Sequence, residues 1–462
     1  MRETVLAFDF GTSYFKAALL DAQGDIAGFH RVPTPIVRNG LRSEIDPEVF
    51  RKTVRTITAA LAAHSPEGFA GVRAVTFCTQ ANTFVLLDAE DRPLTPLIVW
   101  NDERAWPTNP AIANLPLDPL YAARTGMPET HHYLAMAKVR WLMRADPSLR
   151  SKVARLRFIG DEFTHWLTGA HVTDGSIAAI SGMFDVVDWT WNDAWAAAGE
   201  VDRCWLPAVE RAVTARPIRP SAANELGLPP GCVFVTGCLD QYAGAMGVGN
   251  DRVGEFSETT GTVLATLSCA STFAAPETPH AFRGPGATPG TFYHMTFGDV
   301  SAALLAHYRQ QLPDHPSFES LDAAAAEASG PCLRLDHRLP ADALRAQITA
   351  WAPSEPRADV VLCIYETVAA ALGEQVRELA GGKPVTAVRS AGGASRSRLW
   401  LQIKAATLGC PVLAPRSPEP TLVGVLSLAA PHLGWPSPMA GLQPHVTSPA
   451  DAASGRRPRR AM

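Results

Sequence analysis

Five residues that could bind phosphate and a metal ion lie within eight positions near the start of the chain, between two apolar segments. They are Asp9, Gly11, Thr12, Ser13 and Lys16. The apolar segment before them predicts a buried strand, which ends at the aspartate because a buried carboxylate is costly unless solvated or paired with a metal. The glycine permits a tight turn, and the hydroxyls add to backbone N–H groups that can face an anion. This set suits Mg²⁺-bound phosphates, although ordinary turns use the same residues.

A second turn of similar composition occurs in the other half of the chain. The segment Glu258-Thr259-Thr260-Gly261-Thr262 lies between Phe256 and the apolar run Val263 to Ala265. Two turns of threonine and glycine, each between apolar segments, predict a duplicated domain. We expect such a pair of domains to hold phosphate groups from both sides.

An acidic residue lies where a predicted strand is followed by a helix in the middle of the chain. The strand is Val233 to Gly237, Asp240 follows it, and the helix runs from Tyr242 to Gly249. Hydrogen bonds and partial burial at such a position can tune a carboxylate as a general base. The alternative is that Asp240 simply caps the helix.

Two polar clusters follow neighbouring predicted strands. One is Thr79-Gln80-Ala81-Asn82, and the other is Trp100-Asn101-Asp102-Glu103-Arg104. Amide, carboxylate and guanidinium groups beside an aromatic ring suit a polyhydroxylated ligand, because hydroxyls need donors and acceptors while the ring packs on C–H faces. The alternative is a polar loop with a structural ion pair.

A run of small residues follows the predicted strand Val385 to Arg389. It reads Ala391-Gly392-Gly393-Ala394-Ser395-Arg396-Ser397, and a helix from Leu399 to Leu408 comes next. Small residues let a planar base or a ribose approach the backbone, and Ser395 or Ser397 can cap the helix.

Composition limits the classes of function. With 462 residues the chain exceeds one ordinary core, so at least two domains are expected. The 41 basic and 45 acidic residues give no field that favours nucleic acid or an acidic membrane surface. No apolar stretch reaches membrane-spanning length, and the apolar run near the start is broken at Asp9, unlike a signal peptide. We therefore expect no nucleic-acid or membrane partner.

Eight cysteines are scattered along the chain, and no two have C-x-x-C spacing. Most lie in apolar surroundings, which favours buried thiols in a reducing compartment over disulfides or a zinc site. The sequence therefore predicts a cytoplasmic protein. Past about Pro431 the composition changes to proline, serine, glycine, alanine and arginine, which predicts a disordered tail at 433–462.

The predicted elements position these groups. Strands flank the first turn, Asp46-Pro47-Glu48 starts a helix that runs to about Ala63, and Val72 to Thr79 is the next strand. A long helix at Val360 to Ala380 precedes the small-residue run. This order of strands, helix and strands around a hairpin that suits phosphate resembles the layout of an actin-like ATPase domain.

Taken together, the motifs resemble the FGGY carbohydrate kinase family from about Val5 to Ala430. The resemblance implies an α/β fold of two actin-like (ribonuclease H-like) ATPase domains with an interdomain cleft, here 1–245 and 246–432. It also implies roles for single residues. Asp9 would hold Mg²⁺, and Asp240 would be the catalytic base. The phosphates and adenosine of ATP would contact Gly11, Thr12, Ser13, Lys16, Gly261, Thr262, Gly392, Gly393, Ala394 and Ser397. The sugar would contact Gln80, Asn82, Trp100, Asp102, Arg104, Asp240 and Gln241.

The chain also departs from the family pattern. Ala394 stands where the family usually has a third glycine. Between Asp299 and Val360 the usual glycine-, arginine- and proline-bearing loop is not recognisable, and the customary last helix is missing after Leu433. These losses bear on stability and nucleotide affinity more than on the chemical groups.

The resemblance implies an ATP- and Mg²⁺-dependent kinase acting on a small sugar or polyol. No G-x-x-x-x-G-K-[S/T] loop occurs, which excludes a P-loop kinase. A non-catalytic nucleotide- and sugar-binding module of the same fold and an actin-like ATPase that drives a partner are the alternatives. The sugar stays open among ketopentoses, related pentose or hexose derivatives and polyols. Homodimers are common in the family and are one expectation here.

Overall fold

Two seven-stranded sheets, one in each half of the chain, form the framework of the computed structural model, which describes residues 2–211, 213–274, 279–286, 288–328, 333–438 and 444–450. Its strands are β1 (Thr4–Phe10), β2 (Tyr14–Leu20), β3 (Ile26–Pro33), β4 (Val37–Asn39), β5 (Arg42–Ile45), β6 (Val72–Thr79), β7 (Phe84–Leu87), β8 (Leu97–Ile98), β9 (Arg155–Phe158), β10 (Val172–Asp174), β11 (Phe184–Asp185), β12 (Thr190–Trp191), β13 (Ala208–Glu210), β14 (Ala215–Pro217), β15 (Val233–Val235), β16 (Cys238–Leu239), β17 (Phe256–Thr260), β18 (Leu264–Ala270), β19 (Phe282–Pro285), β20 (Phe292–Gly298), β21 (Val388–Ala391), β22 (Val412–Ala414) and β23 (His445–Thr447).

The helices pack on the faces of these sheets and fill the space between them. They are α1 (Pro47–His64), α2 (Pro66–Ala70), α3 (Pro110–Ala113), α4 (Pro119–Thr125), α5 (Ala135–Ala145), α6 (Ile159–Thr168), α7 (Gly175–Ala179), α8 (Asp193–Ala198), α9 (Pro220–Leu226), α10 (Asp240–Gly247), α11 (Ala302–Gln311), α12 (Phe318–Ala326), α13 (Ala341–Trp351), α14 (Arg357–Ala380), α15 (Arg398–Leu408) and α16 (Pro420–Ala429). Short 3-10 turns occur at Leu115–Leu117, Pro147–Ser151, Arg203–Trp205, Gly393–Arg396 and Ala430–Leu433.

The two large sheets repeat one arrangement. In the first sheet, β1 pairs antiparallel with β2 and parallel with β6. In the second, β17 pairs antiparallel with β18 and parallel with β21. Each hairpin therefore ends in a turn at the edge where a parallel neighbour also ends. The predicted duplication of the two hairpins is present in the structure.

Register explains why the site residues of the first half meet. Phe10 of β1 and Leu239 of β16 both pair with Thr79 of β6, in parallel. Three adjacent strands thus end at one level of the sheet. Gly11, Gln80 and Asp240, which are far apart in sequence, follow directly at that edge.

Helices α10 and α16 join the two halves by crossing at glycines. A Cβ atom on Gly247 would lie 1.7 Å from the carbonyl oxygen of Pro420, and one on Gly424 would lie 1.8 Å from that of Ala243. The backbones are therefore in direct contact, which only glycine permits here. Because α16 also packs against β1 and β6, a helix late in the sequence is part of the first half's core.

Helices α11, α12 and α13 occupy the region between 299 and 360 where no family pattern was recognisable. Their apolar residues Leu304, Tyr308, Leu321, Leu344 and Ile348 are buried against α14. This region therefore forms a layer of helices.

The prediction of a disordered tail at 433–462 is wrong for part of that range. Residues 445–447 form β23, which pairs antiparallel with β22 through Val412 and Thr447. The backbone hydrogen bonds of an open sheet edge favour this pairing despite the polar composition. Residues 439–443 and the arginine-rich end at 451–462 lie outside the described residues.

Most cysteines in the described part of the chain are buried, Cys204 is exposed, and none of them forms a disulfide. None of the helices that the structure describes combines the length and apolar character needed to cross a bilayer.

Candidate active site

The first turn brings a carboxylate and an ammonium group together at the end of the β1–β2 hairpin. Asp9 and Lys16 are directly opposite partners in this hairpin, and Lys16 Nζ lies 3.5 Å from Asp9 Oδ2. The same Nζ donates to Glu419 Oε2, at the start of α16, over 3.1 Å. Burial raises the pKa of Asp9, and Lys16 only partly opposes that effect. Burial favours a neutral Lys16 amine, but Asp9 and Glu419 outweigh it and raise the pKa of Lys16.

Asp240 is the first residue of α10 and lies at the edge where β1, β6 and β16 end. Its Oδ1 accepts a hydrogen bond of 2.7 Å from the backbone N–H of Gln241. Burial raises the pKa of Asp240 to about 7, and the negative charge of Asp9 adds to this shift. A carboxylate with such a pKa is poised to exchange a proton near neutral pH.

A buried hydrogen-bond chain supports the residue before this aspartate. The backbone N–H of Leu239 donates to Ser176 Oγ over 2.9 Å, and Ser176 Oγ donates to Asp174. Asp174 also caps α7, and burial raises its pKa to about 6. These contacts fix the end of β16, which Asp240 directly follows.

Three adjoining cavities meet around these residues. A cleft of about 920 Å³ is lined by Asp9, Gly11, Thr12, Ser13, Lys16, Asp240, Gln241, Gly392 and Gly393. A second cavity of about 660 Å³ shares Thr12, Asp240 and Gln241 with the cleft and continues to Gln80, Asn82 and Trp100. A third cavity of about 720 Å³ shares Gly393 with the cleft and is lined by Gly261, Thr262, Ala394 and Ser397. We call the second the acceptor cavity and the third the nucleoside cavity, after the ligands that their lining residues are expected from the sequence to contact.

Trp100 and Gln80 are linked to the first turn by hydrogen bonds. Trp100 Nε1 donates to Thr12 Oγ1 over 2.7 Å, and Thr12 Oγ1 donates to Gln80 Oε1 over 3.2 Å. The Thr12 hydroxyl is therefore engaged by the acceptor-cavity wall, whereas Gln80 Nε2 is buried without a partner among the described residues.

The nucleoside cavity is built on a fully buried ion pair. Lys404 Nζ lies 2.6 Å from Glu258 Oε1 and 2.9 Å from Thr260 Oγ1. Ser390 Oγ, on β21, also donates to Glu258. This cluster fixes β17, which Gly261 directly follows, beside β21, the strand that leads to Gly392. One wall of the cavity is the stacked pair of Tyr365 and Trp400, whose ring centroids are 4.1 Å apart.

Comparison with known families assigns the chain. Residues 4–247 match the model of the N-terminal domain of the FGGY family of carbohydrate kinases, and residues 259–432 match the model of its C-terminal domain. The chain belongs to this family. FGGY kinases transfer phosphate from ATP, so its activity is ATP-dependent phosphorylation of a carbohydrate.

Individual relatives of this FGGY kinase act on different acceptors. The present chain is 29% identical over 421 residues to the xylulose kinase of Klebsiella pneumoniae, and the match covers 87% of this chain and 84% of that protein. It is 28% identical over 471 residues to the glycerol kinase of Paracidovorax citrulli, covering 92% and 90%. The crystal structure of gluconate kinase from Lactobacillus acidophilus superposes with a TM-score of 0.82 at 19% identity, covering 98% and 96%. The expected α/β fold of two actin-like domains is confirmed.

The chemistry of the site fits the cofactors that the family implies. Asp9 offers a buried carboxylate at a phosphate-type turn, and Mg²⁺ characteristically takes one or two carboxylates with the remaining ligands from phosphate and water. The described residues hold no cluster of three or more metal-binding side chains, and this mode of binding needs none. Cβ atoms on Gly261 and Gly393 would meet nothing within 4 Å, so both backbones are open to a nucleotide.

Asp102 and Arg104 of this FGGY kinase do not line the acceptor cavity, contrary to the sequence expectation. Asp102 is fully buried, and its Oδ2 accepts a hydrogen bond from the backbone N–H of Ser43 over 2.7 Å. Arg104 Nε donates to Asp102 Oδ1 over 2.7 Å, and the guanidinium also contacts Glu44. The side chains turn away from the cavity because burying either charge requires its partner. Asp102 and Arg104 therefore form a structural ion pair, which is the alternative to a sugar site left open by the sequence.

Asn82 lines the acceptor cavity, but its amide group already binds backbone. Its Nδ2 donates to the carbonyl oxygen of Ile180 over 3.1 Å, and its Oδ1 accepts from Ala135 N over 3.0 Å. Ser397 likewise caps α15 by accepting from Trp400 N over 3.0 Å. Both side chains therefore shape their cavities chiefly by holding neighbouring backbone.

Several residues that line the acceptor cavity were not found from the sequence. They are Glu129, His131, Tyr133, Phe282, Thr296, Phe297, Asp299 and Glu378. They come from loops of the first half and, in the second half, from β19, β20, the position directly after β20, and α14. No local motif marks them, because the packing of the two halves alone brings them together.

Proposed function

We propose that this FGGY kinase uses Asp240 as the general base that activates a hydroxyl of a sugar or polyol held in the acceptor cavity. The observation that carries the proposal is the position of Asp240 at the junction of that cavity and the cleft. A group at this junction can contact an acceptor hydroxyl on one side while facing the phosphate-binding turn on the other.

The proton path follows from the carboxylate. In its ionised form Asp240 accepts the proton as the hydroxyl oxygen attacks phosphorus, which typically contributes about 10²- to 10⁴-fold to the rate. Gln241 donates its backbone N–H to Asp240 Oδ1 and so orients the carboxylate. Gln80, whose Nε2 has no partner in the part of the chain that the structure describes, and Trp100 would position the acceptor.

The phosphate side of the cleft would be formed by both turns. When bound, Mg-ATP supplies the phosphoryl group and neutralises the charge that develops on it. Asp9 would hold the metal ion, and Gly11, Ser13 and Lys16 would contact phosphate oxygens with Thr12 at the same turn. Gly261 and Thr262 would contact them from the opposite half. Gly392, Gly393 and Ala394, with Ser397 behind them, would surround the nucleoside.

The organisation of the chain supports this division. We assign 1–245 to the domain that carries the base and the first turn, and 246–432 to the domain that carries the nucleoside cavity. Unpaired thiols and a need for ATP favour the cytoplasm as the place of action.

The test is ADP release from Mg-ATP across a panel of ketoses, aldoses, polyols and sugar acids. We expect release with one group of acceptors and a loss of at least about 10²-fold in kcat for Asp240→Asn, with ATP affinity kept. The matched control is Asp46→Asn, which alters an exposed helix cap of α1 where asparagine serves equally well. Near wild-type turnover of Asp240→Asn would remove the base role. Intact ATP and sugar binding without turnover in the wild type would favour a binding module.

A further inference from the structure

We infer that the acceptor of this kinase is an uncharged polyhydroxy compound, a neutral sugar or polyol, and that the cavity discriminates against aldonates and uronates. The inference rests on the proposed function, because it takes the 660 Å³ cavity beside Asp240 as the acceptor site. It narrows that function, since solved structures of the same fold include a gluconate kinase.

The charged side chains that line the cavity all have the same sign. Glu129, Asp299 and Glu378 lie in its wall together with Asp240, and no lysine or arginine occurs among the described lining residues. A substrate carboxylate would therefore meet repulsion from several carboxylates within a partly enclosed space. Recognition of a carboxylate normally relies on arginine or lysine, and the described wall offers neither.

A lysine behind the wall cannot replace them. Lys138 is fully buried, and its Nζ donates to the carbonyl oxygens of Asn82, Val99 and Trp100 over 3.3, 3.0 and 2.9 Å. An ammonium group has three N–H donors, so all of them are directed to backbone. On the cleft side, Lys16 is already paired with Asp9 and Glu419.

The polar groups that are available in the cavity suit hydroxyls. Gln80 Nε2, His131 Nδ1, Thr296 Oγ1 and Glu378 Oε1 are buried and have no hydrogen-bond partner within the described structure. Gln80 and Thr296 are 3% and 6% exposed, so bulk water has little access to these polar atoms. A hydroxyl can donate to one such atom and accept from another, whereas a carboxylate can only accept.

Two histidines, His131 and His280, also line the cavity, and His131 adds no positive charge at neutral pH. Burial lowers the pKa of His131 to about 4, and the neighbouring His132 and Lys138 add to this effect. Its imidazole is therefore neutral near pH 7, and its Nδ1 is the buried ring nitrogen without a partner among the described residues. Trp100, Tyr133 and Phe282 complete the wall with rings that can pack on the C–H faces of a sugar.

The experiment compares each neutral acceptor with its own carboxylate: glycerol with glycerate, xylitol with xylonate, D-glucitol with D-gluconate, and D-glucose with D-glucuronate. ADP release gives kcat/KM, and calorimetric titration of Asp240→Asn with the same pairs ranks binding without turnover. We expect a preference of roughly tenfold or more for the neutral member of the best pair, increasing at low ionic strength. Asp299→Asn and Glu129→Gln should narrow this ratio, and Glu67→Gln, an exposed change on α2, should not.

The possible outcomes distinguish a failure of this inference from a failure of the proposed function. Asp240-dependent turnover with a carboxylate preferred over its neutral partner would overturn this inference and leave the kinase mechanism intact. A preference that is unchanged in Asp299→Asn and Glu129→Gln and insensitive to salt would remove its electrostatic basis. Wild-type turnover in Asp240→Asn would instead overturn the proposed function.

Discussion

The buried ion pair beneath the nucleoside cavity gives a prediction whose magnitude follows from its contacts. Lys404 and Glu258 have fully buried side chains, and their charged atoms are 2.6 Å apart. Lys404→Met keeps the length and much of the volume of the side chain but removes the ammonium. Glu258 then keeps hydrogen bonds from Ser390 and Thr260 and loses its counter-charge.

Removing one partner of a buried pair typically costs about 3–5 kcal/mol. Glu258 keeps two hydroxyl donors, so we expect a loss of unfolding free energy at the lower end of this range, about 3 kcal/mol. Methionine fills most of the volume of lysine, so a cavity adds little to this loss. The double variant Lys404→Met/Glu258→Gln removes both charges, so it should recover at least about 2 kcal/mol of this loss. Because the pair fixes β17 beside β21, ATP affinity should fall more than acceptor affinity.

Urea unfolding followed by circular dichroism and tryptophan fluorescence measures these free energies. The matched control is Arg338→Met, which removes an exposed ion pair with Asp336 and should cost less than about 1 kcal/mol. A cost of Lys404→Met no larger than that of this control would contradict the prediction, as would a double variant less stable than Lys404→Met. Either result would mean that an unpaired Glu258 carboxylate does not destabilise the fold.

Three further predictions concern the active site. Burial raises the pKa of Asp240 to about 7, and only the carboxylate form of Asp240 accepts a proton. The kcat/KM for the acceptor should therefore rise with pH through about 7. A flat profile between about pH 5.5 and 8.5 would contradict this. Ser176→Ala removes the acceptor for Leu239 N–H and should lower kcat about tenfold with little change in the acceptor KM; equal effects on both would point to general loosening. Lys16→Met should raise the KM for ATP at least about tenfold and the acceptor KM much less, as initial-rate kinetics would show.

The parts of the fold that could be predicted are those in which local pattern and tertiary structure agree. The two apolar hairpins have polar turns at their tips, and each pair of apolar segments forms antiparallel strands around its turn. Helix α1 begins where Asp46 caps it, by accepting from Glu48 N over 2.8 Å. Asp240 lies at a strand-to-helix junction as expected.

Other features depend on contacts between residues far apart in sequence, which a single chain does not display. Thr296 and Glu378 reach the acceptor cavity from the second half, and nothing in their neighbours marks them as ligand contacts. Asp102 and Arg104 have the residue types of a sugar site, but they pair with each other, and their further partners Ser43 and Glu44 lie far away in sequence on β5. Strand β23 has polar flanks and pairs only because β22 offers an open edge.

The glycine crossing of α10 and α16 determines which substitutions the chain can tolerate. Gly247 and Gly424 do not line the cleft, the acceptor cavity or the nucleoside cavity, yet no larger side chain fits either position without moving two backbones apart. Helix α10 begins at Asp240, and α16 begins next to Glu419, which binds Lys16. An added methyl group at either glycine would thus displace the base and the phosphate-side lysine together. These two positions are as restricted in mutation as the residues that contact substrate.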